Sequence, residues 1–164
     1  MYKRSLILLS ITLGLSACND ASTRKPATLV NQEETNAPTT ADGEILLNAG
    51  DNMKFEKETI TVKAGDTVKL RLVHTGKIAK AAMGHNFVLL KKGTNIDQFI
   101  TEANRAGKED YIPNNGADII AHTRLLGGGE SDLIQFLAPE KGTYTFLCSF
   151  PGHAAMMVGK FIVE

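Results

Sequence analysis

The chain has 164 residues, 43% of them apolar, enough for one domain with a true core and some appended segments. Its 18 basic residues balance its 18 acidic ones, and removing Lys3 and Arg4 with the leader described below leaves 16 against 18. With no basic stripe along the sequence, an electrostatic nucleic-acid binder is disfavoured.

The first segment has the layout of an export signal. Lys3 and Arg4 precede an apolar run over 5–15, and Leu15-Ser16-Ala17-Cys18 closes it with small residues. The run is too short to stay in a bilayer, so residues 1–17 are expected to be a cleaved signal peptide. The ending resembles a bacterial lipobox, which implies lipid on Cys18 as the first residue of the mature protein. Acyl chains at that point would hold the protein on a membrane surface at about 0.8 kcal/mol per buried methylene. Asn19, the next residue, does not settle which membrane receives it.

Residues 19–42 are polar and lack sustained periodicity, so they cannot bury enough surface to offset ordering entropy. The expected organisation is therefore a leader over 1–17, a lipidated Cys and flexible tether over 18–42, and a folded domain over 43–164. Such a tether has a root-mean-square reach of about 25 to 30 Å.

From Gly43 onward short alternating runs recur between turn residues. Candidate strands are 44–48, 59–63, 67–74, 85–91, 119–124, 131–137, 142–148 and 158–163. In the third, Val68, Leu70 and Leu72 alternate with Lys69 and Arg71. This spacing predicts an all-β antiparallel sandwich with Greek-key connections. One segment departs from it: Ile96, Phe99, Ile100 and Ala103 follow helical spacing, with Thr94 or Asn95 as cap and Gly107 as stop. A short inserted helix is expected near 95–106, packed on the outside of the sandwich.

The most informative stretch is 148–157, Cys-Ser-Phe-Pro-Gly-His-Ala-Ala-Met-Met, which sets a thiol, an imidazole and thioethers within ten residues. Soft sulfur with imidazole favours copper, and two His with one Cys and a weak axial Met is a copper electron-transfer set. The only other cysteine, Cys18, lies at the far end of the sequence, so Cys148 is read as a free thiol. Tyr144, Phe146 and Cys148 share one strand face, which turns the sulfur inward. A buried inert cysteine is the ordinary reading of a lone thiol; His153 and Met157 in the same loop weaken it.

The second imidazole has three sources, His74, His85 and His122. His85 suits best, because it opens an apolar strand and follows Gly84, where backbone can approach a metal closely. Asn86 beside it is able to bond a neighbouring loop or the thiolate. His74 reads as a core-edge histidine and His122 as a surface one.

Three motifs in order, Met-Gly-His-Asn-Phe-Val-Leu over 83–89, Ile-Ala-His-Thr-Arg-Leu-Leu-Gly over 120–127 and Cys-x4-His-x3-Met over 148–157, closely resemble the azurins. The resemblance spans residues 47–164. It implies an eight-stranded Greek-key cupredoxin sandwich with one type 1 copper ion near one end. It further implies His85, Cys148 and His153 as strong ligands, Met157 as the long axial thioether and the Gly84 carbonyl as the weak opposite one. Azurin spacing selects Met157, whereas Met156 would give the shorter gap of other cupredoxins. Asn86 would brace the ligand loop, with Phe150 beside the site.

The family resemblance also places an apolar docking patch of Met53, Ile78, Met83, Phe150, Gly152 and Ala155 around the partly exposed edge of His153, through which electrons would pass. Expected partners are redox proteins such as cytochromes or an oxidase or reductase, in the periplasm or at the cell surface. The chain is then a carrier and not an enzyme. A copper-binding or copper-delivery protein of the envelope is the alternative. Two departures from the family stand out: the cysteine pair of many azurins is missing, and Phe87 occupies a position commonly Trp.

Overall fold

The computed structural model describes residues 43–164. The signal peptide, Cys18 and the tether expected over 18–42 lie outside the described residues. Among the described residues nine strands form two sheets: β1 (Glu44–Gly50), β2 (Lys54–Phe55), β3 (Thr59–Val62), β4 (Thr67–His74), β5 (Val88–Leu90), β6 (Ile119–His122), β7 (Ser131–Leu137), β8 (Gly142–Leu147) and β9 (Val158–Val163). One sheet has the order β2-β1-β4-β7, the other β3-β9-β8-β5-β6. The eight expected strands are all present. The ninth, β2, is a two-residue arm whose Phe55 pairs with Ala49, too short to show any alternation in sequence.

Alternation decides the faces. Ile45, Leu47 and Ala49 of β1 and Val68, Leu70 and Leu72 of β4 turn inward, meeting Tyr144, Phe146 and Phe161 of the second sheet. Phe87 is fully buried in this core and tilts against Phe146 at 5.3 Å between ring centres. β1 and β4 run parallel in register from Glu44 opposite Lys69 to Ala49 opposite His74. Both therefore finish at the same end of the sandwich. β8 finishes there too, with Leu147 paired to Val88 and to Val158.

The helix α2 (Ile96–Ala103) is capped by the Asn95 side chain, which accepts from the Gln98 N–H at 3.0 Å. It turns Phe99 and Ala103 onto Val88, Leu90, Ile119 and Leu147. This explains why β5 is buried at all three positions: Leu89 faces the main core, and its neighbours face the helix. A second short helix, α1 (Lys80–Met83), was not legible in the sequence; it buries no side chain and so leaves no apolar period.

Candidate metal centre

Cys148 follows β8 directly and inherits its inward face, so the thiol is fully buried beside Phe146. The turn that follows reverses the chain: His153 N–H donates to Phe150 O at 3.0 Å, and Met157 N–H to His153 O at 2.8 Å. Cys148 N–H then donates to Met157 O at 3.0 Å, closing the loop before β9. Across from it, His85 forms an isolated bridge with Leu126 through two backbone hydrogen bonds, of 3.0 and 2.8 Å. The expected strand 85–91 is thus shorter than its apolar run, and β5 begins only at Val88.

These pieces bring His85, Cys148 and His153 together, all buried, with one donor atom of each within 4.8 Å of the others. The two Nδ1 atoms stand 3.2 Å apart, and Cys148 Sγ lies 3.7 Å from His153 Nδ1. His85 Nε2 is 2.9 Å from the Gly50 carbonyl, to which it donates, leaving the Nδ1 lone pair aimed at the centre. Gly50 had no signal in the sequence. It is placed there because β1 ends at the same pole as β4.

The Gly84 carbonyl oxygen lies 3.8 Å from the sulfur. A Cβ on Gly84 would stand 2.8 Å from Lys80 O and 2.9 Å from Phe150 Cδ2, so only glycine lets this backbone so close. Met157 is fully buried in the same core cluster as Cys148, while neighbouring Met156 is 49% exposed. The two methionines thus differ in burial, Met157 in the core and Met156 toward solvent.

Asn86 joins the two halves of the site. Its Nδ2 donates to Ser149 Oγ at 2.8 Å and to Asp110 O at 3.1 Å, and its Oδ1 accepts from Ser149 N–H at 2.8 Å. His74 is also buried, stacked on His85 with ring centres 4.3 Å apart. Its Nε2 donates to Met83 O at 2.8 Å and its Nδ1 accepts from Gly76 N–H at 3.1 Å. Both nitrogens are engaged away from the centre, so His74 buttresses His85 and does not join it. His122 is exposed, and its Nδ1 lies 3.1 Å from Thr123 O.

Electrostatics make the pocket a place for neutral donors. Burial pushes the Cys148 thiol up to about 11, opposed by hydrogen bonds from the backbone N–H groups of Asn86 and Phe150. Burial pulls His153 down to about 4, helped by the neighbouring His85 and His74 rings. His85 is lowered by the same desolvation. Two neutral imidazoles facing one protonated thiol form a set that a soft cation would complete by displacing the thiol proton. The donor set therefore fits copper.

Around the site, Ile78, Gly152 and Ala155 are exposed, while Met53 and Met83 are half-buried. Phe150 is almost covered, its ring 4.6 Å from that of His153 and 5.2 Å from that of Tyr111. Consequently His153 reaches solvent with only 3% of its surface, a smaller edge than the sequence suggested.

A two-sheet sandwich closing over a buried thiol and two imidazoles at one pole defines a cupredoxin with a single type 1 copper site. The match is specific: the model for copper binding proteins of the plastocyanin/azurin family covers residues 41–164, and the chain belongs to that family. It is 39% identical over 124 residues to the azurin of Achromobacter denitrificans, covering 73% of this chain and 83% of that one. It is 41% identical over 118 residues to outer membrane protein H.8 of Neisseria gonorrhoeae, covering 70% of this chain and 63% of that longer protein. Among solved structures, reduced auracyanin from Roseiflexus castenholzii superposes with a TM-score of 0.66 at 35% identity, over 73% of this chain and 94% of that one.

Proposed function

We propose that this protein is a one-electron carrier of the bacterial envelope, held to a membrane by lipid on Cys18. His85, Cys148 and His153 would hold copper as strong ligands, with the Met157 thioether and the Gly84 carbonyl as weaker donors. The observation that carries this reading is the convergence of three buried donor atoms within 4.8 Å, with each imidazole neutral and His85 oriented by Gly50. Copper bound there would supply one-electron exchange between its two oxidation states.

What the chain itself does is orient and exclude. Gly50 and His74 hold the His85 ring, Asn86 ties the ligand loop to the strand that faces it, and Phe150 covers His153. A pocket that holds its donors ready in a packed core limits rearrangement when charge changes. The burial of all three donors favours a carrier over a delivery protein, which needs exchangeable metal. It also leaves substrate little room, in keeping with a protein that is not an enzyme.

Electrons would cross at the His153 edge, inside an apolar surface of Ile78, Met83, Met53, Gly152 and Ala155. A small contact of this kind suits transient redox partners such as cytochromes or an oxidase or reductase. Periplasmic or surface location draws support from the lipobox-like Leu15-Ser16-Ala17-Cys18 and from the relative described as an outer membrane protein. The test is mixing: copper-loaded protein should show intense thiolate-to-copper absorption that bleaches on contact with a reduced cytochrome. Rapid loss of copper to an acceptor without any bleaching would favour delivery. Cys18→Ala should release the protein from membranes without altering its spectrum.

A further inference from the structure

The connection from β4 to His85 carries Ile78, Met83 and Gly84, yet little within it holds it in place. Helix α1 has four residues, no buried side chain and no side-chain cap at Ala79. A helix this short does not support itself. Its support comes from His74, whose Nε2 donates to Met83 O, and from the facing loop over 124–130, which centres on one oxygen. Glu130 Oε2 accepts from Arg124 Nη1 at 2.9 Å and from Gly127 N–H at 3.0 Å, and lies 3.4 Å from Lys80 Nζ.

Backbone contact reinforces the link. Gly128 N–H donates to Ile78 O at 2.9 Å. A Cβ on Gly127 would stand 2.9 Å from Lys80 N, and one on Gly128 would stand 2.5 Å from Lys77 C, so the two main chains touch directly. The loop is itself fixed to the end of β4, where His74 N–H donates to Glu130 O and Gly129 N–H to His74 O, both at 2.9 Å. On its far side the connection is tied once more, by Asp51, whose carboxylate accepts from Lys77 N–H at 2.8 Å and from Ile78 N–H at 3.3 Å.

We propose that Glu130 is a positioning residue for the metal centre: by joining Lys80 to Gly127 it seats α1, and so sets where the Gly84 carbonyl stands against the Cys148 sulfur. The path is short. Gly84 terminates α1, its position is bounded by Lys80 O, Phe150 and Leu125, and its oxygen is 3.8 Å from Sγ. Glu130 is an anion at neutral pH, held down to about 2 by the Gly127 N–H first and Arg124 second. A surface ion pair by itself contributes little. The working part of the latch is the combination of that backbone hydrogen bond with the tether to Lys80.

The axial role of Gly84 rests on the proposed copper site, so the test uses two readouts in the full chain, with and without copper. Glu130→Ala, Glu130→Gln and Lys80→Met are compared. In the copper-free protein, amide exchange at Ala82, Met83 and Gly128 should speed up several-fold in Glu130→Ala and less in Glu130→Gln, which keeps an acceptor for Gly127. In the copper-loaded protein, Glu130→Ala and Lys80→Met should move the reduction potential in the same direction, with a changed copper hyperfine splitting. A bare charge effect would move the two in opposite directions, and would make Glu130→Gln equal to Glu130→Ala; either result overturns the proposal. Unchanged exchange in Glu130→Ala overturns it as well. Failure of the unmutated protein to show thiolate-to-copper absorption would instead count against the copper reading, with the exchange comparison still deciding the latch.

Discussion

The site is built from two pieces of chain that work in opposite ways. The loop over 148–157 holds three of the proposed donors within ten residues and closes on itself, from Cys148 N–H to Met157 O. The segment over 74–86 supplies one imidazole and one carbonyl, and depends on distant partners: Gly50 for the His85 ring, Leu126 for its backbone, Ser149 for Asn86, Glu130 for α1. The first is specified locally and the second by tertiary contact. A local motif can therefore name the metal, while the remote segment decides how tightly the site is held.

Breaking the local piece has the largest effect. Cys148→Ala should abolish thiolate-to-copper absorption completely, as read in the visible spectrum, because no other sulfur lies on that face of β8. Next in size is a change that leaves both pieces alone. Phe99→Ala, beneath α2, should cost about 3 to 5 kcal/mol in denaturant unfolding and leave the spectrum of the folded protein unaltered. Loss of colour in the folded variant would show that the second cluster also shapes the site.

Smaller effects sharpen the contrast. Met157→Gln should shift the absorption and the reduction potential, whereas Met156→Leu should do little, since Met156 points to solvent. The reverse result would reassign the axial donor. Smallest is the pH response of the copper-free protein. His153 titrates at about 4 when folded and near its ordinary 6.5 when unfolded. The unfolded chain therefore binds more protons in that window. Stability should be intact above pH 6.5 and fall as pH drops toward 4, measured by thermal unfolding. Copper loading should flatten this response above the pH at which metal is released.

Legibility followed the same division. The eight principal strands and the capped helix were readable, because alternation and an Asn-initiated helical period are local signals. Cys148 and His153, which the fold brings together with His85, were readable for the same reason. Gly50, Asp110 and Ser149 were not, because their contributions are a carbonyl, a carbonyl and a hydroxyl placed by strand order and loop packing. β2 and α1 are too short to carry a period, and the near-complete cover of His153 depends on where the Phe150 ring falls. Phe87 fills its place in the core completely, packed against Phe146.

One thiolate and two imidazoles from these two pieces should meet on a single copper ion. X-ray absorption at the copper edge of the loaded protein tests it most directly. The expected shell has one short copper–sulfur bond and two copper–nitrogen bonds from imidazole, with the short sulfur bond lost in Cys148→Ala. A copper shell of oxygen and nitrogen only, unchanged by that substitution, would contradict it.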